Sequence, residues 1–272
     1  MSPSLAETLD VIDALWPSTG AEAWDAPGPV SGDPRAPVTR LRLVVDAVAA
    51  TVDEAIDDHI DLIVAHHPLL LRGATSVAED RYKGALIARL IRAGCALVTA
   101  HTNADVVPDG VSDVIAQRLG LLGVRPIVAG LAAGSGIGRV GTLSAPTTLG
   151  SLARELAGIL PPTASGVRVS GDFAAPVATV ALCGGAGDAY LSEPAVRASD
   201  VYITSDLRHH PASEAREQAV LGGGPALIDV SHWASEWLWL EKAAEQLRDA
   251  LPGVEVTVSE LRTDPWDFAI MQ

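Results

Sequence analysis

Four short apolar runs, each ending in histidines or carboxylates, constrain this chain more than any other feature. "DLIVA" runs into His66 and His67, and "CALVTA" into "HTNAD", with His101 and Asp105. "DVYITS" runs into "DLRHH", with Asp206, His209 and His210, and "PALIDV" into "SHWASE", with His232 and Glu236. Runs of this length rich in Val, Ile, Leu and Ala read as strands buried on both faces. Helical stretches alternate with them: "TVDEAIDDHI" with Thr51 and Glu54 at capping-box spacing, "DRYKGALIARLIRAG" stopped by Gly94, and "GVSDVIAQRLG" stopped by Gly120. The alternation predicts an α/β fold with mostly parallel strands. In open α/β sheets ligands bind beyond the carboxyl ends of the strands. Of the seven histidines, all but His59 lie there.

Composition narrows the function classes. The formal charge of −15 argues against nucleic-acid binding through a basic patch. No uncharged apolar stretch approaches the roughly 18–20 residues a membrane span needs. The opening "MSPSLAETLDVIDALWP" lacks a basic leader and reads as a helix begun by a Ser4/Glu7 capping box. A soluble, cytoplasmic protein is expected. Cys95 and Cys183, each inside an apolar run, read as small buried hydrophobes rather than as a disulfide or thiolate ligands.

The Gly-rich segment "LLGVRPIVAGLAAGSGIGRVG" reads as a boundary, giving an α/β lobe over 1–125 and a second over 126–272. "CGGAGD" at 183–188 reads as a tight turn or as a backbone wrap for an anion. The helix over 232–250, "HWASEWLWLEKAAEQLRDA", carries three tryptophans in an aromatic-poor chain; a core stripe and a subunit contact both fit.

The polar residues at the strand ends have the chemistry of a metal site. His232 and Glu236 are spaced i, i+4 and share one helical face; His101 and Asp105 have the same spacing. His66 and His67 would point to opposite faces of an extended strand, so both reach one object only where Pro68 helps the strand to end. Imidazole with carboxylate, and no thiolate, suits Zn, Mn, Fe, Co or Ni better than Mg or Ca. The set is large enough to hold two divalent ions about 3.5–4 Å apart.

"DLIVAHHPLLLRG", "AHTNAD", "DVYITSDLRHH" and "IDVSHWASE", in this order and spacing, resemble the NIF-three-like dinuclear metal-centre proteins, also named GTP cyclohydrolase I type 2 homologues. The resemblance runs from "LAETLDVIDALWP" to "VEVTVSE" as one homology unit, in a short form without the inserted domain some members carry. It implies two similar, interlinked α/β lobes and a toroidal homohexamer. It also implies metal ligands at His66, His67 and Asp105 in the first lobe and His232 and Glu236 in the second, with Glu236 shared by two ions. His101 and Asp206 match cavity-lining positions, and His209 or His210 is expected to act as general acid–base. The implied activity is metal-dependent hydrolysis through a metal-activated water, directed at GTP or a phosphoester as small-molecule substrate. The alternative is a non-catalytic metal-binding assembly or regulatory partner. Two positions depart from the pattern: "WDAPGPV" (24–30) stands for "WDNVGL", and Ser205 stands where glycine is expected.

Overall fold

The computed structural model describes residues 2–270. The chain divides into two compact units, 1–104 with 240–263, and 105–239 with 264–272. They are not consecutive halves, so the boundary expected at 125/126 lies elsewhere.

In the first unit, helix α1 (Leu5–Leu15) opens with the expected capping box: Glu7 N–H donates to Ser4 Oγ at 3.3 Å and Ser4 N–H donates to Glu7 Oε2 at 2.8 Å. Strands β1 (Gly28–Ser31), β2 (Arg40–Val44), β3 (Leu62–Ala65) and β4 (Ala96–Thr99) alternate with helices α2 (Ala49–Asp57) and α3 (Tyr82–Ala93). Helix α2 starts earlier than its Thr51/Glu54 spacing suggested. Thr51 lies inside the first turn, where its hydroxyl accepts from Val48 N–H at 3.0 Å and donates to Asp46 O at 2.8 Å. Gly94 caps α3 at φ 71°, as expected.

The first sheet has the order β1-β4-β3-β2-β13, where β13 (Glu255–Val258) comes from the far end of the chain. β13, β2, β3 and β4 run parallel, and β1 closes the edge antiparallel to β4. Every residue of β3 and β4 is buried, which explains their unbroken apolar runs. Ile63, Ala65 and Leu97 pack with Val52, Leu86 and Leu90 from the covering helices.

The second unit begins within α4 (Thr102–Asp105) and continues through α5 (Val111–Arg118), which Leu119 and Gly120 end. The Gly-rich segment read as a boundary instead contributes β5 (Leu122–Arg125) and a small pair, β6 (Val128–Ala129) and β7 (Gly136–Ile137). β8 (Arg139–Thr148), α6 (Leu149–Ile159), β9 (Arg168–Ser170), β10 (Pro176–Ala186), α7 (Pro194–Arg197), β11 (Val201–Ser205), α8 (His209–Val220) and β12 (Ala226–Val230) follow. The sheet order is β5-β8-β10-β11-β12-β9. Here parallel pairing is confined to the central strands β10, β11 and β12, and antiparallel partners flank them.

Helix α9 (His232–Ala250) carries the chain from the second unit into residues assigned to the first. Trp233 and Trp239 are buried and Trp237 is half-buried, so this Trp-rich helix supplies core. Among the described residues no helix is long and apolar enough to cross a bilayer.

Candidate metal centre

In the first unit, register brings the histidines together. Leu62 pairs with Ala96 and Ala65 with Thr99, while Val44 pairs with Ala65, so β2, β3 and β4 end level. The ladder continues one step further through His66 N–H to Val44 O, His67 N–H to Val45 O, and Ala100 N–H to Ala65 O, each 2.9 Å. Asp46, His66, His67 and His101 therefore emerge from three neighbouring strand ends. A ring nitrogen from each of His66, His67 and His101 lies within 4.8 Å of the others. His101, which the resemblance placed among the cavity-lining residues, thus stands with His66 and His67.

Each of these rings is held from behind. His66 Nδ1 donates to Ala100 O at 2.9 Å, His67 Nδ1 to Asp46 Oδ1 at 2.7 Å, and His101 Nδ1 to Asp25 Oδ1 at 2.8 Å. Carbonyls and carboxylates only accept, so Nδ1 carries the proton in every case and the neutral ring offers Nε2. Metal-binding histidines are oriented in this way. Burial pushes the Asp25 carboxyl up, but hydrogen bonds from His101 and Thr102 outweigh it and hold it well below the usual carboxylate range. Asp25 and Asp46 were not singled out in the sequence, although Asp46 ends the run "LRLVVD", by the same strand-end logic as the histidines.

The second unit repeats the device with a different donor. β11 and β12 end level, with Ser205 opposite Val230, so Asp206 and the start of α9 emerge side by side. His232 Nδ1 donates to Asp206 Oδ2 at 2.8 Å, while its Nε2 faces Glu236 Oε1 at 2.8 Å, one helical turn on. Burial pulls the His232 imidazole down, but the Glu236 charge and the bonds to Asp206 and Glu236 outweigh it and raise it to about 11. A proton is therefore held between His232 Nε2 and Glu236 Oε1. Asp206 adopts φ 55°, a left-handed backbone that costs a non-glycine residue about 1–2 kcal/mol. The strain accompanies the reach of its carboxylate to His232.

Gly185 completes this half. It lies at φ 68° in β10, where the register with β11 is broken between Leu182 and Ala186. The "CGGAGD" stretch is thus an irregular strand end rather than only a turn. A Cβ on Gly185 would lie 2.6 Å from Glu236 Oε1 and 3.5 Å from His232 Nε2. Its N–H donates to Ser235 Oγ at 2.9 Å, and Ser235 in turn donates to His232 O at 2.8 Å. Space beside His232 and Glu236 is therefore kept open by the absence of a side chain. Donor types, fixed tautomers and this opening all fit a divalent cation of the Zn, Mn, Fe, Co or Ni kind.

Asp105 is half-buried at the start of the second unit. Burial raises the Cys183 thiol to about 12, and the charges of Asp105 and Glu236 add to the effect. The two carboxylates therefore act on one neighbourhood. The chain after Asp105 is anchored by Arg139, whose buried guanidinium donates to Asp113 at 2.5 and 2.8 Å and to the carbonyls of Gly136, Gly138 and Val107. His209 and His210 open α8, exposed, with ring centroids 5.3 Å apart. His209 lines a cavity of about 440 Å³ with Arg168, Arg216 and Asp229.

The sequence profile of the family described as Duf34/NIF3 (NGG1p interacting factor 3) matches residues 3–265. A Streptomyces coelicolor protein named GTP cyclohydrolase 1 type 2 homolog is 46% identical over 271 residues, covering 97% of this chain and 94% of its own. A Mycobacterium leprae protein of the same name is 33% identical over 376 aligned positions, covering 98% and 96%; it carries residues with no counterpart here. Among solved structures, a Bacillus cereus protein related to NIF3 superposes with a TM-score of 0.88 at 22% identity, covering 99% of this chain and 100% of its own. A Staphylococcus aureus protein does so with the same score at 25% identity, also over 99% and 100%. The fold, the extent of the match and the identity to these relatives make this chain a member of the Duf34/NIF3 family.

Proposed function

We propose that the chain is a metal-dependent hydrolase whose two divalent ions are held by His66, His67, Asp105, His232 and Glu236, with His101 beside the first pair. One observation carries this reading. Three imidazoles, His66, His67 and His101, have Nδ1 engaged by a carbonyl or carboxylate and so offer Nε2, while His232 is held through Nδ1 by Asp206 with its Nε2 facing Glu236. The chemistry such ions supply when bound is Lewis-acid polarisation and a water acidic enough to ionise near neutral pH. Asp25, Asp46, Asp206 and Ala100 orient the rings. Glu236 would help to hold both ions, and His209 or His210, exposed outside the ligand set, would move protons to and from substrate. GTP or a phosphoester is the substrate class, and the relatives' name supports the first.

Metal content of Glu236→Ala, Glu236→Gln, His66→Ala and His67→Ala, with circular dichroism, tests the centre. Both Glu236 variants lose most metal at both positions, and each histidine variant mainly empties one. Retention of both ions by Glu236→Ala would refute the sharing. An activity screen of metal-replete protein against nucleotides and phosphoesters, with Glu236→Ala as control, tests the hydrolase. The second reading, a non-catalytic metal-binding assembly, is favoured by the family's description as an interacting factor. It requires that metal removal dissociate the oligomer or lower its melting temperature. The homohexamer belongs to both readings; a stable monomer in sedimentation at micromolar concentration would end it.

A further inference from the structure

We infer that Trp24 is a stacking platform for a planar heteroaromatic ligand at the mouth of the first unit's histidine cluster. This rests on the reading of those histidines as part of a site. Trp24 is 61% exposed, whereas Trp16, Trp233 and Trp239 are buried. Its ring stands edge-on to His101, with centroids 5.8 Å apart and planes at 80°.

The exposure is not that of a loose loop. The adjacent Asp25 side chain is fully buried, accepting from His101 Nδ1, from Thr102 N–H at 3.0 Å, from the Thr102 hydroxyl at 2.5 Å and from Ala26 N–H at 2.7 Å. Two residues before Trp24, Glu22 N–H donates to Thr102 Oγ1 at 3.0 Å, and Asp25 N–H donates to Glu22 O at 3.0 Å. Beyond it, Pro27 leads into β1, whose Gly28 pairs with Thr99 at the end of β4. The strap over residues 22–28 is thus fastened on both sides of the indole to the strand end that delivers His101. An aromatic face so fixed loses little entropy when a ligand covers it.

An indole face matches a fused, flat heterocycle in size, and base–aromatic stacking is tolerant of ring substituents. The formal charge of −15 favours recognition through the ring over recognition through phosphate. The ligand class is therefore a purine-like base, held by its face beside the imidazoles.

Equilibrium dialysis with guanosine, with ribose 5-phosphate as the ring-free control, decides this on wild type, Trp24→Ala and Trp24→Phe, each assayed for metal and oligomeric state. Guanosine binding should fall about tenfold or more in Trp24→Ala and stay within about threefold in Trp24→Phe, with ribose 5-phosphate unchanged. Unaltered guanosine binding in Trp24→Ala, or none in wild type, overturns the inference. Loss of metal or a smaller oligomer in Trp24→Ala does so too, since the indole would then be a structural support or a subunit contact. Wild type that holds no metal when metal is supplied, yet binds guanosine through Trp24, would refute the proposed centre and leave this inference standing.

Discussion

The two units present different donor sets at the same kind of strand end. The first gathers three imidazoles and keeps its carboxylates, Asp25 and Asp46, behind the rings. The second places a carboxylate in front, Glu236 facing Nε2 of His232, and another, Asp206, behind. Imidazole clusters select metals by ligand softness, whereas a carboxylate in contact contributes charge. In the proposed centre, the same strand-end register would serve selection in one unit and charge compensation in the other.

The strongest way to break the comparison is through the anchor that only the second half has among its described site residues. Arg139→Met leaves half-buried Asp113 with only the Asp109 N–H as donor and should cost about 1–3 kcal/mol in urea unfolding. Metal at the first unit's histidines should be better retained than at Asp105 and Glu236. A loss below about 1 kcal/mol would show the ion pair to be dispensable.

Gly185→Ala is a narrower cut. The added Cβ meets Glu236 Oε1 and forces an alanine into left-handed backbone, so metal affinity in the second half should drop about tenfold or more. A competitive chelator titration reads this directly; equal affinity would mean the opening beside Glu236 is incidental.

Asp206→Asn and Asp46→Asn compare the orienting carboxylates themselves, each expected to weaken metal binding about 10- to 100-fold. They differ in pH dependence. The folded His232 value, about 11, is above its unfolded value, so its stabilisation of the metal-free chain is complete below pH about 6.5 and lost as pH rises toward 11. Asp206→Asn should flatten the decline in melting temperature of metal-free protein between pH 7 and 10. An unchanged slope would remove His232 as its source.

The smallest effect should come from the thiols. Burial raises both Cys95 and Cys183 to about 12, helped by the charges of Asp61 and of Asp105 and Glu236 respectively. Neither should react with a thiol reagent in the native chain. The double serine variant should keep its full metal complement; metal loss on that substitution would put a thiolate in the site.

The sequence displayed the strand ends because a strand buried on both faces is an apolar run, and its polar successor stands out. It displayed the i, i+4 pairing of His232 and Glu236 for the same reason that helices have period 3.6. It hid Asp25, which lies in a Pro- and Gly-rich connection where a carboxylate carries no pattern. Gly185 was hidden too, because an open space is a relation between chain segments and "CGGAGD" by itself is also a turn. The ranking of His101 depended on the register of β3 against β4, which no local spacing encodes. The domain boundary was missed because composition marks flexible stretches, while membership of a sheet is decided by pairing.

That pairing has a consequence in time. β13 docks on β2 from more than two hundred residues away, Arg42 Nε reaching Thr257 Oγ1 at 3.2 Å across the pair. A chain emerging from the ribosome has all strands of the second sheet, through Val230, before β13 exists. The second sheet can therefore assemble while the first still presents β2 as an open edge. Such an edge invites pairing with another nascent chain. The sheet that begins first closes last, and a product ending before Glu255 would keep that edge exposed permanently.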